Sequence, residues 1–260
     1  MSVGSDHGPL IVHLHVPKCA GSSINKVLRE RFPQSHLLLT KEDAQRSVRK
    51  HIRTGAIHRL DTMFGHVEFG IHDPTGRNAV SFSAVRDPVS RWCSFFNYVH
   101  TTPSLAAHKA FKPVLPDLEA VDGMMLKRFR FMGAGWRNAL CRVYLGKPVN
   151  ALPWEDIWPT IEGRMDRGEL VLGDIPTITT WLRQNDILTK DAELPRQNTS
   201  EHNVRGFDDF VVARPDALSV RTKKRIERWN SHDIRLLEEL RARGLVSAPP
   251  RSIKKTIPAP

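Results

Sequence analysis

Three short stretches carry residues whose types and spacing can do chemistry. The first is HVPKCAGSSI, residues 15–24. It lies between an apolar run and a helical pattern, and such a junction is an anion site in outline. Gly21 lets the backbone approach a ligand closely. Ser22 and Ser23 bring hydroxyl donors, Lys18 brings a mobile charge, and a following helix adds backbone N–H groups. The order is not the Walker order, which places Lys and Ser/Thr directly after the second glycine. Lys18 stands three residues before Gly21. A plain βα turn with a capping serine would use the same letters, so the stretch needs a partner before it means anything.

The second stretch is AVRDPVSRWCSFF, residues 84–96. Arg86 follows an apolar run, at the strand end where open α/β sheets bind ligands. Ser94 lies two turns into the next helix, so the pair could bracket a second phosphate. The competing reading gives Arg86 a local carboxylate and turns Ser94 to solvent. The third stretch is FGHVEFG, residues 64–70. If Val67 points inward, His66 and Glu68 project together to the other side. A lone histidine is more often structural than catalytic, and the chain has twelve.

The elements that must position these residues follow from periodicity. Residues 10–16 (LIVHLHV), bounded by Pro9 and Pro17, read as a strand. Ser22 or Ser23 can cap a helix with apolar positions Ile24, Val27, Leu28 and Phe32. Residues 35–39 read as a short strand, 42–53 as an exposed basic helix, and 79–85 as a buried strand. Asp87 then caps a helix beginning at Pro88 and running to about His100, with the stripe Val89, Trp92, Cys93, Phe96 and Val99. Residues 103–168 read as helices broken by prolines, 170–172 as a strand, 175–185 as a helix, and 219–243 as one or two basic amphipathic helices. Alternating strands and helices give an α/β fold with a central, mostly parallel sheet flanked by helices. One domain over residues 1–246 and a Pro-rich tail over 247–260 are expected.

Composition narrows the partners. Lys plus Arg number 39 against 28 for Asp plus Glu, a formal net charge of +11, which favours anionic partners. No run of 18 apolar residues exists, so no transmembrane segment is expected. Three widely spaced cysteines, Cys19, Cys93 and Cys141, form no CxxC pair. Zinc and redox motifs are excluded on that ground, and reduced thiols in a cytoplasmic protein are expected.

The paired stretches resemble the cofactor loops of PAPS-dependent carbohydrate sulfotransferases (sulfotransferase family 2), where PAPS is 3′-phosphoadenosine 5′-phosphosulfate. HVPKCAGSSI resembles their 5′-phosphosulfate loop, an apolar strand followed by PKxxG[ST][ST]. AVRDPVSRWCSFF resembles their 3′-phosphate motif, RDPxxRxxS. FGHVEFG is similar to the GHxxF stretch of the branch that contains heparan sulfate 2-O-sulfotransferase. WRNALCRVYLG (136–146), LPRQNTS (194–200) and RTKKRIERWNSHDIRLLEEL (221–240) resemble later stretches of that branch. The chain is expected to depart from those relatives in lacking an N-terminal membrane anchor, and it carries Cys19-Ala20 where they often have Thr-Ala. Residues 101–135 match no part of the pattern, and acceptor recognition is expected there.

The resemblance implies a P-loop-like sulfotransferase fold and transfer of a sulfuryl group from PAPS to an acceptor hydroxyl, leaving the product 3′-phosphoadenosine 5′-phosphate (PAP). No metal is implied. By resemblance, Lys18 stabilises the leaving phosphate oxygen, and Ala20, Gly21, Ser22, Ser23 and the Ile24 amide cradle the 5′-phosphate. Arg86 and Ser94 grip the 3′-phosphate. His66 is the general base and Glu68 the reserve candidate. A glycan hydroxyl is the implied acceptor, with a lipid-linked or small-molecule hydroxyl as the alternative. Two rivals stand beside this reading. A Mg²⁺-dependent P-loop phosphotransferase normally needs the absent GxxxxGK[ST] loop. A nucleic-acid-binding protein has the net charge and the basic residues 221–228 in its favour but no recognisable module, so no nucleic acid partner is expected.

Overall fold

The run LIVHL buries on both sides, which suits a central strand covered by helices on each face. In the computed structural model this run is β1 (Leu10–Leu14), the middle of a five-stranded sheet. The structure describes residues 8–40, 42–112, 117, 136–195 and 212–247. The other strands are β2 (His36–Leu39), β3 (Thr62–Gly65), β4 (Ala79–Ala84) and β5 (Leu170–Gly173). Their spatial order is β2-β3-β1-β4-β5, and every neighbouring pair is parallel. The fold is α/β with helices on both faces, consistent with a sulfotransferase fold.

Among the described residues, one face is covered by α1 (Gly21–Arg31), which follows β1, and α7 (Ile175–Gln184), which follows β5. Ile24, Val27 and Leu28 of α1 and Ile178 and Leu182 of α7 pack there with Phe64 and Phe82. The opposite face carries Leu10, Val12 and Leu14. Over it lie α2 (Ala44–Arg53), α5 (Ala139–Leu145), α6 (Trp154–Asp166) and α9 (Ser231–Ala242). A third cluster joins α3 (Pro88–His100) to α8 (Val220–Trp229) through Trp92, Phe95, Phe96, Val99 and Ile226. The short α4 (Ala106–Phe111) follows α3.

Most elements fall where periodicity puts them. Asp87 caps α3 through its Oδ1, which accepts from the Ser90 amide at 2.8 Å, and Pro88 opens the helix. Residues 219–243 divide into two helices at Asn230, whose side chain amide donates to the Ile226 carbonyl. Three details differ. β3 is not foreseen as a strand, because TMFG is only four residues long and ends in glycine. Pro159 lies inside α6 rather than ending a helix. Neither Ser22 nor Ser23 caps α1: the helix starts at Gly21, and its N-cap is Ala20 in the left-handed conformation, with no side-chain cap. Most of residues 101–135, the end of LPRQNTS and the tail beyond Ser247 lie outside the described residues.

Candidate functional site

The strand order decides which loops meet. β3, β1 and β4 are neighbours, with Leu14 opposite Gly65 on one side and His13 opposite Phe82 on the other. Their carboxyl ends therefore present three loops side by side. These are the loops that carry His66, Lys18 and Arg86, three residues spread over some seventy positions of sequence. Ligands of open α/β sheets bind at this edge.

The loop after β1 holds its shape by unusual backbone angles. Lys18 has φ 67° and Ala20 φ 60°, both left-handed without being glycine. Each such residue costs on the order of 1–2 kcal/mol, and such outliers cluster at ligand sites. Gly21 itself is helical. Its missing side chain serves a close approach instead: a Cβ there would lie 1.8 Å from Cδ2 of the His15 ring. The Ser23 and Ile24 amides both reach the Ala20 carbonyl, at 3.1 and 3.2 Å. The Gly21 and Ser22 amides thus remain at the open N-terminus of α1. Ser22 is exposed, Ser23 and Ile24 are buried, and Ala20 is half-buried.

Lys18 and Arg86 come together here. The Arg86 guanidinium donates to the Lys18 carbonyl at 3.3 Å. Burial, reinforced by the positive charge of Arg86, lowers the Lys18 pKa from its usual value to about 8. The Lys18 ammonium lies over the ring of Tyr98, 4.3 Å from its centroid. Tyr98 is one turn along α3 from half-buried Ser94, so Lys18, Arg86, Ser94 and Tyr98 share one neighbourhood. Among the described residues neither Lys18 nor Arg86 has a carboxylate within salt-bridge distance. Two cations held close without an acid is what an anion site requires. Cys19, between them in the chain, is buried, and burial raises its thiol pKa to about 11. It is packing, not an accessible thiol.

His66 and Glu68 flank buried Val67, as alternation suggests, but they find different partners. His66 is exposed, and its Nδ1 lies 3.0 Å from the His15 carbonyl oxygen. A carbonyl only accepts, so Nδ1 carries the hydrogen, and in the neutral ring Nε2 holds the lone pair. Glu68 accepts from the Arg142 guanidinium of α5 at 2.8 Å. Arg142 belongs to the stretch WRNALCRVYLG (136–146), which is thereby brought to the third stretch.

Several residues in this region give no strong sign in the sequence. Arg91, at the end of RDPVSR, is 2% exposed and pairs with fully buried Asp233 of α9 at 3.2 Å. Arg91 also donates to the Asn230 side chain and the Trp136 carbonyl. The same Asp233 carboxylate accepts from the Leu140 and Cys141 amides, at 3.1 and 3.0 Å, and so caps α5. The Asn138 side chain accepts in turn from the His232 amide. The late stretches thus meet the second motif in one buried junction. His13 and His15 show only a spacing of two on one strand. Burial lowers the His13 pKa to about 4, and burial with His13, His66 and Lys18 lowers that of His15 to about 2.

This geometry can be set against known families. Residues 5–131 match the model of the sulfotransferase family. The matched segment, just under half of the chain, contains Lys18, His66, Arg86 and Ser94 and ends before α5. No curated protein and no solved structure matches the chain significantly. Among the described residues, no three His, Cys, Asp or Glu side chains gather as a metal site, and no helix is long and apolar enough to cross a membrane.

Proposed function

We propose that the protein transfers the sulfuryl group of PAPS to a hydroxyl acceptor, with a glycan as the leading acceptor class. The observation that carries this reading is the pair Lys18 and Arg86, held together at the open N-terminus of α1 with no acid to neutralise either among the described residues. The match of residues 5–131 to the sulfotransferase family supports it.

The Gly21 and Ser22 amides, the Ser22 and Ser23 hydroxyls and the α1 dipole hold the 5′-phosphate, with Ala20 setting the turn. The Ile24 amide closes the first turn of the helix, and its side chain anchors that turn in the core. Arg86 and Ser94 hold the 3′-phosphate. Lys18 leaves the Tyr98 ring and neutralises charge on the departing phosphate oxygen. His66 takes the acceptor proton at Nε2, a role that typically contributes ~10²–10⁴ in rate. Glu68 is committed to Arg142 and orients it. These residues supply the proton acceptor and the counter-charge that sulfuryl transfer needs. The three buried, unpaired thiols suit a reducing compartment such as the cytoplasm.

The experiment is a labelled-PAPS transfer assay over a panel of glycans, lipid-linked sugars and small alcohols, with His66→Ala as the control. Label should pass to a glycan in the wild type, and the variant should lose turnover while still binding PAP. No transfer to any hydroxyl, with Mg²⁺-dependent phosphoryl transfer in its place, would overturn the reading.

A further inference from the structure

Three histidines and an asparagine form a connected row beneath the phosphate loop. The Asn25 carbonyl oxygen of α1 lies 2.7 Å from His13 Nδ1, and its amide nitrogen lies 3.2 Å from His15 Nδ1. The carbonyl end only accepts and the NH₂ end only donates. His13 therefore carries its hydrogen on Nδ1, and His15 accepts at Nδ1 and carries its hydrogen on Nε2. The edge of the His15 ring rests on Gly21, in space that a Cβ would fill at 1.8 Å from Cδ2 and 2.1 Å from Nε2. The His15 ring faces the His66 ring, with centroids 4.2 Å apart and planes 30° apart. On the other side it stacks with His13 at 5.8 Å, and His13 stacks with buried Phe82 at 4.9 Å. His66 is otherwise an exposed side chain at the end of β3, where rotamer freedom would be large.

Resting on the reading of His66 as the base, we propose that His15 is its positioning residue. The His15 ring, aimed by Asn25 and seated on Gly21, is the platform on which His66 lies with Nδ1 on the His15 carbonyl and Nε2 left to take a proton. Two observations separate this from ordinary packing. Asn25 spends both ends of its buried amide on fixing the two imidazoles, which an apolar residue could not do. The opening residue of α1 is glycine where the His15 ring needs the room, so the loop that holds phosphate and the platform that holds the base are built as one unit. His15 does not compete for the proton, because its burial and cationic neighbours keep it neutral.

The test reads the tautomer of His66 by two-bond ¹H–¹⁵N correlation in the free protein above neutral pH, beside turnover and PAP affinity. Wild type should show hydrogen on Nδ1 of His66. His15→Ala should shift His66 toward Nε2–H, the form an unrestrained imidazole prefers. Turnover should fall roughly ten- to a hundredfold, the scale of a misplaced reacting group, with PAP affinity nearly unchanged. His15→Phe, which keeps the ring face, should restore most of both. Asn25→Leu should resemble His15→Ala in weaker form, and it carries the same reading should His15→Ala fail to fold. His66 remaining Nδ1–H in His15→Ala and Asn25→Leu would overturn the platform. Full activity of His66→Ala would remove the base while the tautomer shift still decides whether His15 positions that ring.

Discussion

Arg86 and Arg91 stand five residues apart in one RDPVSR stretch, and the fold gives them opposite surroundings. Arg91 is buried, paired with Asp233 and hydrogen-bonded to Asn230 and to the Trp136 carbonyl. Arg86 is exposed at the sheet edge, where its guanidinium donates to the carbonyl of another cation, Lys18. A cation whose charge is answered inside the protein holds elements together. A cation placed beside a second cation and a helix N-terminus is set for something that arrives from outside. The same contrast separates Glu68, engaged with Arg142, from His66, whose Nε2 stays available to accept a proton.

Asp233→Ala leaves Arg91 charged and buried and removes the acceptor of the Leu140 and Cys141 amides. A loss of about 3–5 kcal/mol is expected in urea unfolding. A loss below about 1 kcal/mol would show that the junction does not hold α3, α5 and α9 together.

Acid titration probes the histidine row between the two regions. Unfolded imidazoles bind protons below their ordinary pKa of about 6.5. Folded His13 and His15 resist down to about 4 and about 2. The unfolded state then holds more protons, so stability falls as pH falls below 6.5, by about 1.4 kcal/mol per pH unit for each histidine. The contribution of His13 levels off near pH 4. Thermal unfolding against pH should show a shallower decline in His13→Phe, and an unchanged profile would contradict the assignment.

On the exposed side, Lys18 loses its proton as pH rises through about 8. PAP affinity should weaken above that pH by up to about tenfold per unit, and Lys18→Arg should flatten the dependence. A wild-type affinity constant from pH 7 to 9.5 would take Lys18 out of the phosphate site. Glu68→Gln should be mildest, changing stability by about 0–1 kcal/mol because the pair is part-exposed. It should keep turnover, and a large loss would transfer the base role to Glu68.

What could be read in the sequence follows the range over which each signal acts. The α3 cap needs only Asp87, Pro88 and Ser90, and the β1–α1 junction needs a dozen residues, so local pattern suffices for both. The left-handed angles at Lys18 and Ala20 leave no such mark, because the sequence offers Gly21 as the natural bearer of that freedom. The need for Gly21 comes from the His15 ring, a contact between strand and helix that periodicity does not encode. Arg91 and Asp233 are 142 positions apart, and nothing in RDPVSR tells which of its arginines will be buried. The strand order β2-β3-β1-β4-β5 supplies what is missing: it places the ends of β3, β1 and β4 side by side and so makes one site of three stretches.

The central claim is that Arg86 reads a 3′-phosphate, and calorimetric titration of PAP and of adenosine 5′-monophosphate tests it most directly. In the wild type PAP should bind more tightly than the monophosphate. In Arg86→Ala its affinity should drop by roughly ten- to a hundredfold, the ~1.5–3 kcal/mol of hydrogen bonds to a charged group, while the monophosphate changes little. Equal weakening of both ligands, or no preference for PAP in the wild type, would contradict the account.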